Sequence, residues 1–258
     1  MDLGIRNKVA LVLGGGGGLG RAIATTLSAE GAAVAISDKN EDALEETTAQ
    51  LQNASLALKW DLADLDAVSG HITTIEDTLG PVDILVNITG GPPPTPVSGQ
   101  DVALWGEHFR SMVLSVIAIS DRVLPGMKER GWGRLVTSAS SGVITPIPNL
   151  GLSNALRSAL VGWSKTLSQE VGRHGITSNV IVPGRIATKR ITFLDEAKAK
   201  RENRPVADVT ADSVSSISVG RYGDPQEYAD AVAFLASTRA AYITGSVLRV
   251  DGGLIASV

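Results

Sequence analysis

The chain of 258 residues carries a formal net charge of −4, and hydrophobic residues make up 43% of it. An acidic chain argues against nucleic-acid binding, which needs a basic face, and the absence of cysteine excludes disulfides, thiolate metal sites and a cysteine nucleophile. The N-terminus lacks a signal-peptide pattern and no apolar run approaches the roughly 20 residues of a membrane helix, so we expect a soluble, cytoplasmic protein without a membrane partner.

Short apolar runs alternate with longer stretches of helical periodicity along the chain. The candidate strands are Val9–Leu13, Ala33–Ser37, Leu56–Lys59, Ile84–Asn87, Arg134–Ser138, Thr177–Val182 and Val247–Val250. The candidate helices are Gly20–Glu30, Glu41–Gln52, Asp64–Leu79, Trp105–Arg130, Asn154–His174 and Pro225–Leu235. This alternation indicates βαβ units. We predict an α/β fold in one domain, residues 1–258: a doubly wound parallel sheet of about seven strands with helices on both faces.

Two segments interrupt the alternation. Residues 91–96, Gly-Pro-Pro-Pro-Thr-Pro, could form a rigid linker between domains. The βα pattern resumes directly after them, however, which favours a stiff loop beside a ligand crevice. Residues 185–220 are polar and charged, and connections longer than about 15 residues in compact domains are usually functional lids or disordered. Because a helical pattern runs through Phe193–Glu202, we predict a lid-like insertion.

The segment after the first strand carries the clearest functional signal. It contains Gly14, Gly15, Gly16, Gly17, Gly18, Leu19 and Gly20, and an amphipathic helix follows. Five consecutive glycines alone would suggest a flexible linker, but the flanking strand and helix favour a turn that approaches a pyrophosphate without Cβ clashes. The helix that begins near Gly20 directs unpaired N–H groups and its positive dipole end at those phosphates. Gly14, Gly17, Gly18, Leu19 and Gly20 are therefore predicted to hold a dinucleotide.

Asp38 indicates which dinucleotide binds. It follows the second strand, eighteen residues past Gly20, where a carboxylate can accept both hydroxyls of the adenine ribose and repels a 2′-phosphate. Charge-assisted hydrogen bonds of this kind contribute about 1.5–3 kcal/mol. The alternative is a solvated turn aspartate. We expect NAD as the cofactor, with NADP disfavoured.

Later segments resemble the short-chain dehydrogenase/reductase family in order and spacing, over essentially the whole chain. Asp61-Leu62 resembles the Asp-hydrophobic pair that receives the adenine ring in that family. Asn87 and Gly90 are the two retained ends of its Asn-Asn-Ala-Gly segment. Pro183-Gly184-Arg185-Ile186-Ala187-Thr188 resembles its nicotinamide-binding segment, and the stretches 242–245 and 250–253 resemble its C-terminal signature.

This resemblance implies a Rossmann-like fold that binds NAD(P). The cofactor-binding residues that it implies, besides the glycine segment and Asp38, are Asp61, Leu62, Asn87, Gly90, Arg157, Pro183, Gly184, Ile186 and Thr188. It also implies a homo-oligomer, a tetramer or dimer, that forms through two long helices and the C-terminal strand.

The candidate active site departs from the family pattern at three of four positions. Ser140 stands at the family's serine position, after the fifth strand. Ser153 replaces the usual tyrosine, Arg157 replaces the lysine four residues later, and Met112 replaces the asparagine of the central helix. We take Ser140, Ser153 and Arg157 as the candidate catalytic residues, although Ser140 could simply cap the strand end.

These substitutions weaken acid catalysis. A phenol near a cation can titrate toward neutrality, whereas an aliphatic hydroxyl such as that of Ser153 is far less acidic. Loss of a general acid typically costs about 10²–10⁴ in rate. Arg157 keeps a planar fork of donors that could hold ribose hydroxyls or clamp an anion. His108 could approach the crevice or be an ordinary surface histidine, and the tyrosines 222, 228 and 242 are expected away from the site.

Two functions remain open. The first is an oxidoreductase that transfers a hydride between NAD(P) and a carbonyl or alcohol. Arg185, Lys189 and Arg190 indicate an anionic small-molecule substrate for it, or they form a solvated face. The second is a dinucleotide-binding pseudoenzyme that acts as a redox sensor or structural partner. A lyase or dehydratase has only the versatility of the fold behind it. No His/Asp/Glu cluster has metal-ligand spacing, so no metal is predicted.

Overall fold

The computed structural model describes residues 1–258 and contains one seven-stranded parallel sheet. Its strands are β1 (Val9–Leu13), β2 (Ala33–Asp38), β3 (Ser55–Lys59), β4 (Ile84–Asn87), β5 (Gly133–Ser138), β6 (Ile176–Pro183) and β7 (Val247–Val250). They lie in the order β3-β2-β1-β4-β5-β6-β7, and every neighbouring pair is parallel. The predicted doubly wound, Rossmann-like sheet of seven strands is confirmed.

Nine α-helices connect or follow these strands. They are α1 (Gly18–Ala29), α2 (Glu41–Thr48), α3 (Val68–Leu79), α4 (Val102–Phe109), α5 (Ser115–Arg130), α6 (Gly151–Val171), α7 (Lys189–Glu202), α8 (Val206–Ser215) and α9 (Pro225–Leu235). Each predicted helix is present. Pro225–Leu235 has the predicted bounds, and the other helices are shifted at one or both ends. The third begins four residues late because the Asp64 carboxylate accepts the N–H groups of Asp66 and Ala67, a local turn that competes with the helix.

The core forms two layers, one on each face of the sheet. Successive strand residues point to opposite faces, so in β1 the side chains of Ala10 and Val12 pack with α1 and α9, whereas Leu11 and Leu13 pack with α3 and α5. All four are completely buried. Fully burying one such leucine contributes about 1.5–3 kcal/mol. Because both faces are covered at the centre of the sheet, β1 is apolar throughout rather than alternating.

The continuous helical stretch Val102–Arg130 bears on the expectation that the chain has no membrane partner. By length and composition alone it is long and apolar enough to cross a membrane, although no uninterrupted apolar run of that length exists in the sequence. A π-helical segment, Arg110–Leu114, joins its two α-helical parts. One side packs in the core through residues such as Ile119, while Phe109 and Leu114 on the other side are exposed. The stretch is therefore a core helix with an apolar outer face.

The strand order places a crevice at the centre of the sheet. β1 lies between β2 and β4, so the chain leaves β1 toward one side and β4 toward the other. Ligands of open α/β sheets bind outside the carboxyl ends of the strands at such a reversal. The predicted glycine segment follows β1 directly. The fold therefore brings the residues singled out in the sequence to one edge of the sheet.

Candidate dinucleotide and substrate cleft

A cleft of about 780 Å³ opens at the carboxyl edge of the sheet. It is lined by the loops that follow β1 to β6, by the first turns of α6 and by α7. All of the predicted site residues except Asn87 line it. The Asn87 side chain is buried instead, and its amide donates to the Thr137 hydroxyl at 3.2 Å. The register explains this contact, because Asn87 and Thr137 are paired across β4 and β5.

The glycine segment forms a cradle in which side chains would collide. Gly14 has a φ of +65°, a conformation that favours glycine. A Cβ on Gly20 would lie 2.1 Å from the Gly14 carbonyl oxygen, and one on Gly18 would lie 2.8 Å from the Thr188 methyl. α1 begins at Gly18 without a side-chain cap, so its first N–H groups are free to bind an anion. The cradle therefore fits a diphosphate.

Asp38 lies beside this cradle at the end of β2. A Cβ on Gly16 would lie 3.0 Å from Oδ2 of Asp38, so the carboxylate faces the glycine segment. Its Oδ1 accepts the Asn40 N–H at 3.1 Å, which leaves Oδ2 without a protein donor. One carboxylate oxygen is thus available to a ligand hydroxyl.

The Asp61 side chain closes the same end of the cleft. Its carboxylate forms a 2.8 Å ion pair with Lys39 and accepts the Ala63 N–H. The hydrogen bond from Lys39 lowers the pKa of Asp61 below its ordinary value. The positive charge of Lys39 is therefore already paired, although Lys39 is directly adjacent to Asp38.

Trp60 is a cleft residue that the sequence analysis missed. It is buried, lines the cleft and lies 4.5 Å from the His71 ring, centroid to centroid. The sequence signal that could have identified Trp60 is its position directly before the Asp61-Leu62 pair. A buried indole at this position supplies an apolar wall for a flat ring system.

The three candidate catalytic residues share one end of the cleft. Ser140 is both a cap and a cleft residue, because its hydroxyl accepts the Gly142 N–H at 3.2 Å while its side chain lines the cleft. Ser153 lies in the first turns of α6 and is buried, as is Met112 across from it on the π-helical segment. These side chains present hydroxyls and a thioether but no group that titrates near neutrality.

Arg157 is held by three main-chain carbonyls. Its Nη1 donates to Ser138 at 3.1 Å, and its Nη2 donates to Thr89 at 3.2 Å and Gly90 at 3.0 Å. The residue is only 9% exposed, and burial lowers its pKa to about 10. Three of the five guanidinium donors are thus committed, which leaves two for the ribose or anion contacts expected from the sequence.

Among the other titratable candidates, Tyr228 lies nearer to the site than expected. His108 lines the cleft and is half-buried, so of the two alternatives left by the sequence, a crevice residue or a surface histidine, the first describes its position. Tyr228 is not remote: its buried hydroxyl lies 2.8 Å from the Ser138 hydroxyl, directly behind the strand end that carries Ser140. Burial raises the pKa of Tyr228, and the residue does not line the cleft. Tyr242 is fully exposed.

The segment after β6 contains two helices, α7 and α8, of which the sequence predicted one, and α7 lines the cleft. Asp195 on α7 is buried, pairs with Arg185 at 3.4 Å and accepts the Tyr222 hydroxyl at 2.7 Å. Arg190 reaches across the cleft and donates to the Pro92 carbonyl at 2.9 Å. The proline-rich segment is a loop at the cleft edge, as the stiff-loop interpretation predicts, and it docks on α6 through Thr95.

Known proteins resemble the chain over its full length. A family model described as enoyl-(acyl carrier protein) reductase matches residues 15–255. The 3-oxoacyl-(acyl-carrier-protein) reductase FabG of Vibrio harveyi is 33% identical over 254 residues, which cover 98% of this chain and 99% of that protein. The structure of L-sorbose reductase from Gluconobacter frateurii, complexed with NADPH and L-sorbose, superposes with a TM-score of 0.93 at 28% identity, covering 100% of both chains. NAD⁺-bound xylitol dehydrogenase superposes with a TM-score of 0.91 at 26% identity, covering 96% of this chain and 99% of that one.

Proposed function

The chain belongs to the short-chain dehydrogenase/reductase family of NAD(P)-binding oxidoreductases, and we propose that it transfers a hydride between NAD and a carbonyl or alcohol substrate with an altered proton path. The observation that carries this proposal is the cradle between Gly14 and Gly20 with Asp38 beside it. Bare N–H groups at the start of α1 bind a diphosphate, and the adjoining carboxylate binds the sugar.

The preference for NAD over NADP rests on the charge at the adenine end. The free Oδ2 of Asp38 accepts a ribose hydroxyl and repels a 2′-phosphate. Lys39 would offer the phosphate a cation, but its ammonium is paired with Asp61 at 2.8 Å. Breaking that pair to bind NADP would leave two carboxylates beside the phosphate.

At the other end of the cleft, a nicotinamide would supply or accept the hydride when bound. The residues of this chain position and polarise the substrate. The Ser140 hydroxyl donates to the substrate oxygen, and the two uncommitted N–H donors of Arg157 hold ribose hydroxyls or that same oxygen. With Ser153 in place of a phenol, bound water or a substrate group supplies the proton.

Residues 185–220 act as a lid in this proposal. The hydrogen bond from Arg190 to the Pro92 carbonyl ties α7 to the loop after β4, and the Arg185–Asp195 ion pair holds α7 within the segment itself. Both contacts are made by side chains, so the lid can open without disturbing the sheet. Closure excludes water from the transferred hydride and its acceptor.

The test is turnover of reduced cofactor. NADH consumption is measured across a panel of carbonyl compounds, and NAD reduction across the matching alcohols, with Arg157→Ala as the control variant. We expect oxidation of NADH on at least one substrate class and its loss in Arg157→Ala. A flat response across both panels, with folded protein and saturating cofactor, would count against hydride transfer.

The second candidate is a dinucleotide-binding pseudoenzyme, which the loss of the phenol, the lysine and the asparagine favours. It predicts NADH binding by calorimetry without turnover. The variant that combines Met112→Asn, Ser153→Tyr and Arg157→Lys separates the two candidates. Activity that appears only in this folded variant supports the pseudoenzyme, and activity already present in the wild type removes it.

We also propose that the chain forms a homo-oligomer in the cytoplasm, a dimer or a tetramer. Phe109 and Leu114 are exposed on the outer face of the central helix, and Val247 and Leu248 are exposed on the edge strand. Contacts between copies would cover both apolar surfaces. Sedimentation velocity of the purified protein tests this, because a monomer at micromolar concentration contradicts it.

A further inference from the structure

The lid end of the cleft carries an excess of positive charge. Five basic side chains line it: Arg185, Lys189, Arg190, Lys198 and Arg201. Arg185 is paired with Asp195 and Arg201 with Glu202. Lys189, Arg190 and Lys198 have no carboxylate within ion-pair distance. Of the other carboxylates that line the cleft, Asp38 and Asp61 lie at the adenine end, and Glu107 forms no ion pair. Three cations at this end are therefore without an ion-pair partner in the protein.

Two guanidinium groups stand side by side at this end. A Cβ placed on Gly91 would lie 3.2 Å from Nη2 of Arg190 and 3.7 Å from Nη2 of Arg157. Only main-chain carbonyls accept hydrogen bonds from these two side chains. Glycine at position 91 keeps the space between the two groups open.

Placing two guanidinium groups close together costs electrostatic free energy, which a negatively charged ligand between them would offset. Arg157 is buried without a counter-ion, and like charges repel strongly in a region of low dielectric constant. Arg190 remains exposed toward solvent, so it is accessible to a ligand that enters the cleft. One turn and two turns further along α7, Leu194 and Lys198 also line the cleft on the same face.

We propose that Arg190, backed by Arg157 and flanked by Lys198, binds an anionic group of the substrate, so that the enzyme acts on an oxo or hydroxy compound carrying a carboxylate or a phosphate. The proposal rests on the proposed function, because it names the substrate class of the same cleft. The planar fork of Arg190 retains four of its five N–H donors after the bond to Pro92. That is enough for a bidentate contact with a carboxylate or phosphate.

The site is distinct from the dinucleotide's own phosphates. Those phosphates are assigned to the glycine cradle and the start of α1, whereas Arg190 and Arg157 meet over Gly91, in the loop after β4. If the paired arginines instead neutralised the dinucleotide, an added anion would lose its site as soon as NADH bound. Binding measurements with and without NADH therefore separate the two assignments.

The experiment is calorimetric titration of the full chain with acetoacetate, with its uncharged isostere pentane-2,4-dione, and with inorganic phosphate. Each probe is titrated into the free protein and into protein saturated with NADH. The variant is Arg190→Gln. The matched control is Lys200→Gln, which removes the same charge from an exposed position of the same helix that does not line the cleft.

The wild type is expected to bind acetoacetate, with or without NADH, and to bind pentane-2,4-dione about tenfold or more weakly. Arg190→Gln should weaken acetoacetate binding by about tenfold or more, because a charge-assisted hydrogen-bond pair is lost. Lys200→Gln should bind like the wild type. Phosphate binding that persists in the presence of NADH supports a site that also accepts phosphorylated substrates.

Four results overturn the proposal: no acetoacetate binding by the wild type, equal binding of the neutral isostere, equal effects of the two variants, or loss of acetoacetate binding when NADH is present. Failure of the proposed function is a different result, namely absence of NADH binding or of turnover. The titration of free protein does not depend on either.

Discussion

Gly20→Ala is the sharpest perturbation of the cradle. A Cβ at position 20 would lie 2.1 Å from the Gly14 carbonyl oxygen and 2.9 Å from the Gly15 Cα. Both neighbours are main-chain atoms, so the clash cannot be relieved by rotating a side chain. The glycine segment must move away from the start of α1, which displaces the N–H groups that are proposed to hold the diphosphate.

The magnitude follows from the packing. Overpacking a close-packed site costs typically about 1–3 kcal/mol, and for a chain of this size each kcal/mol lowers the melting temperature by about 2–4 °C. We expect a drop of about 2–12 °C for Gly20→Ala by scanning calorimetry. We also expect at least a tenfold loss of NADH affinity by titration calorimetry, because the phosphate-binding N–H groups no longer converge.

Gly17→Ala is the matched control. It makes the same chemical change three residues earlier, but its Cβ would meet nothing closer than the Gly14 carbonyl oxygen at 3.8 Å, an ordinary contact. Its stability should stay within about 0.5 kcal/mol of the wild type, so that a loss of stability in Gly20→Ala is due to the clash and not to the added methyl group. Equal loss of stability in the two variants, or unchanged NADH affinity in Gly20→Ala, refutes the cradle geometry.

Three further outcomes are expected. Asp38→Ala should weaken NADH binding by roughly 10–150-fold, the equivalent of about 1.5–3 kcal/mol, and bring the affinities for NADH and NADPH closer together. Asp42→Ala, on the exposed side of α2, should change neither affinity, and an unchanged ratio of the two affinities in Asp38→Ala contradicts the role of Asp38. Tyr228→Phe should lower the free energy of unfolding, measured in urea, by about 1–3 kcal/mol, because it leaves the buried Ser138 hydroxyl without a hydrogen-bond partner. Turnover should be unchanged, and loss of turnover without loss of stability would show that the phenol takes part in the chemistry. Glu227 has a pKa of about 2, lowered chiefly by the hydrogen bond from the Arg221 guanidinium, so its ionised form stabilises the fold fully above its ordinary pKa of 4.5, and this stabilisation is lost as the pH falls toward 2. Glu227→Gln should reduce the dependence of the melting temperature on pH between 4.5 and 2, and an unaltered pH dependence would contradict the assignment.

The sheet and the cradle could be predicted because their signals are local. A fully apolar strand such as β1, directly followed by glycines and a helix, predicts both the buried parallel strand and the turn. The acidic residue at the end of β2 falls beside that turn because β1 and β2 are neighbours in register. Each of these statements needs only a short stretch of chain and the rule that parallel strands end at the same edge.

The contacts of Arg157 could not be predicted because they join distant parts of the chain. Its partners are carbonyls at positions 89, 90 and 138, which only the pairing of β4 with β5 brings beneath α6. Sequence reasoning assigned the guanidinium to ligands, whereas most of its donors hold the main chain. The pairing of Arg157 with Arg190 over Gly91 also depends on how the lid folds back.

Tyr228 and the second lid helix escaped prediction for related reasons. Tyr228 lies on α9, ninety residues from Ser138, and reaches that strand end only because α9 packs on the sheet. The helix α8 spans ten residues and buries only two of them, Val209 and Ser213, so its apolar pattern is short. Asn87 was assigned to the cofactor by resemblance, and the register that turns it toward Thr137 is invisible in the sequence.

The structure of crystals grown with NADH tests the central claim most directly. The account predicts a diphosphate against the N–H groups at the start of α1, between Gly18 and Gly20, and adenine-ribose hydroxyls within hydrogen-bond distance of Asp38. An empty groove in crystals grown at saturating NADH, or a dinucleotide whose ribose lies away from Asp38, would contradict it.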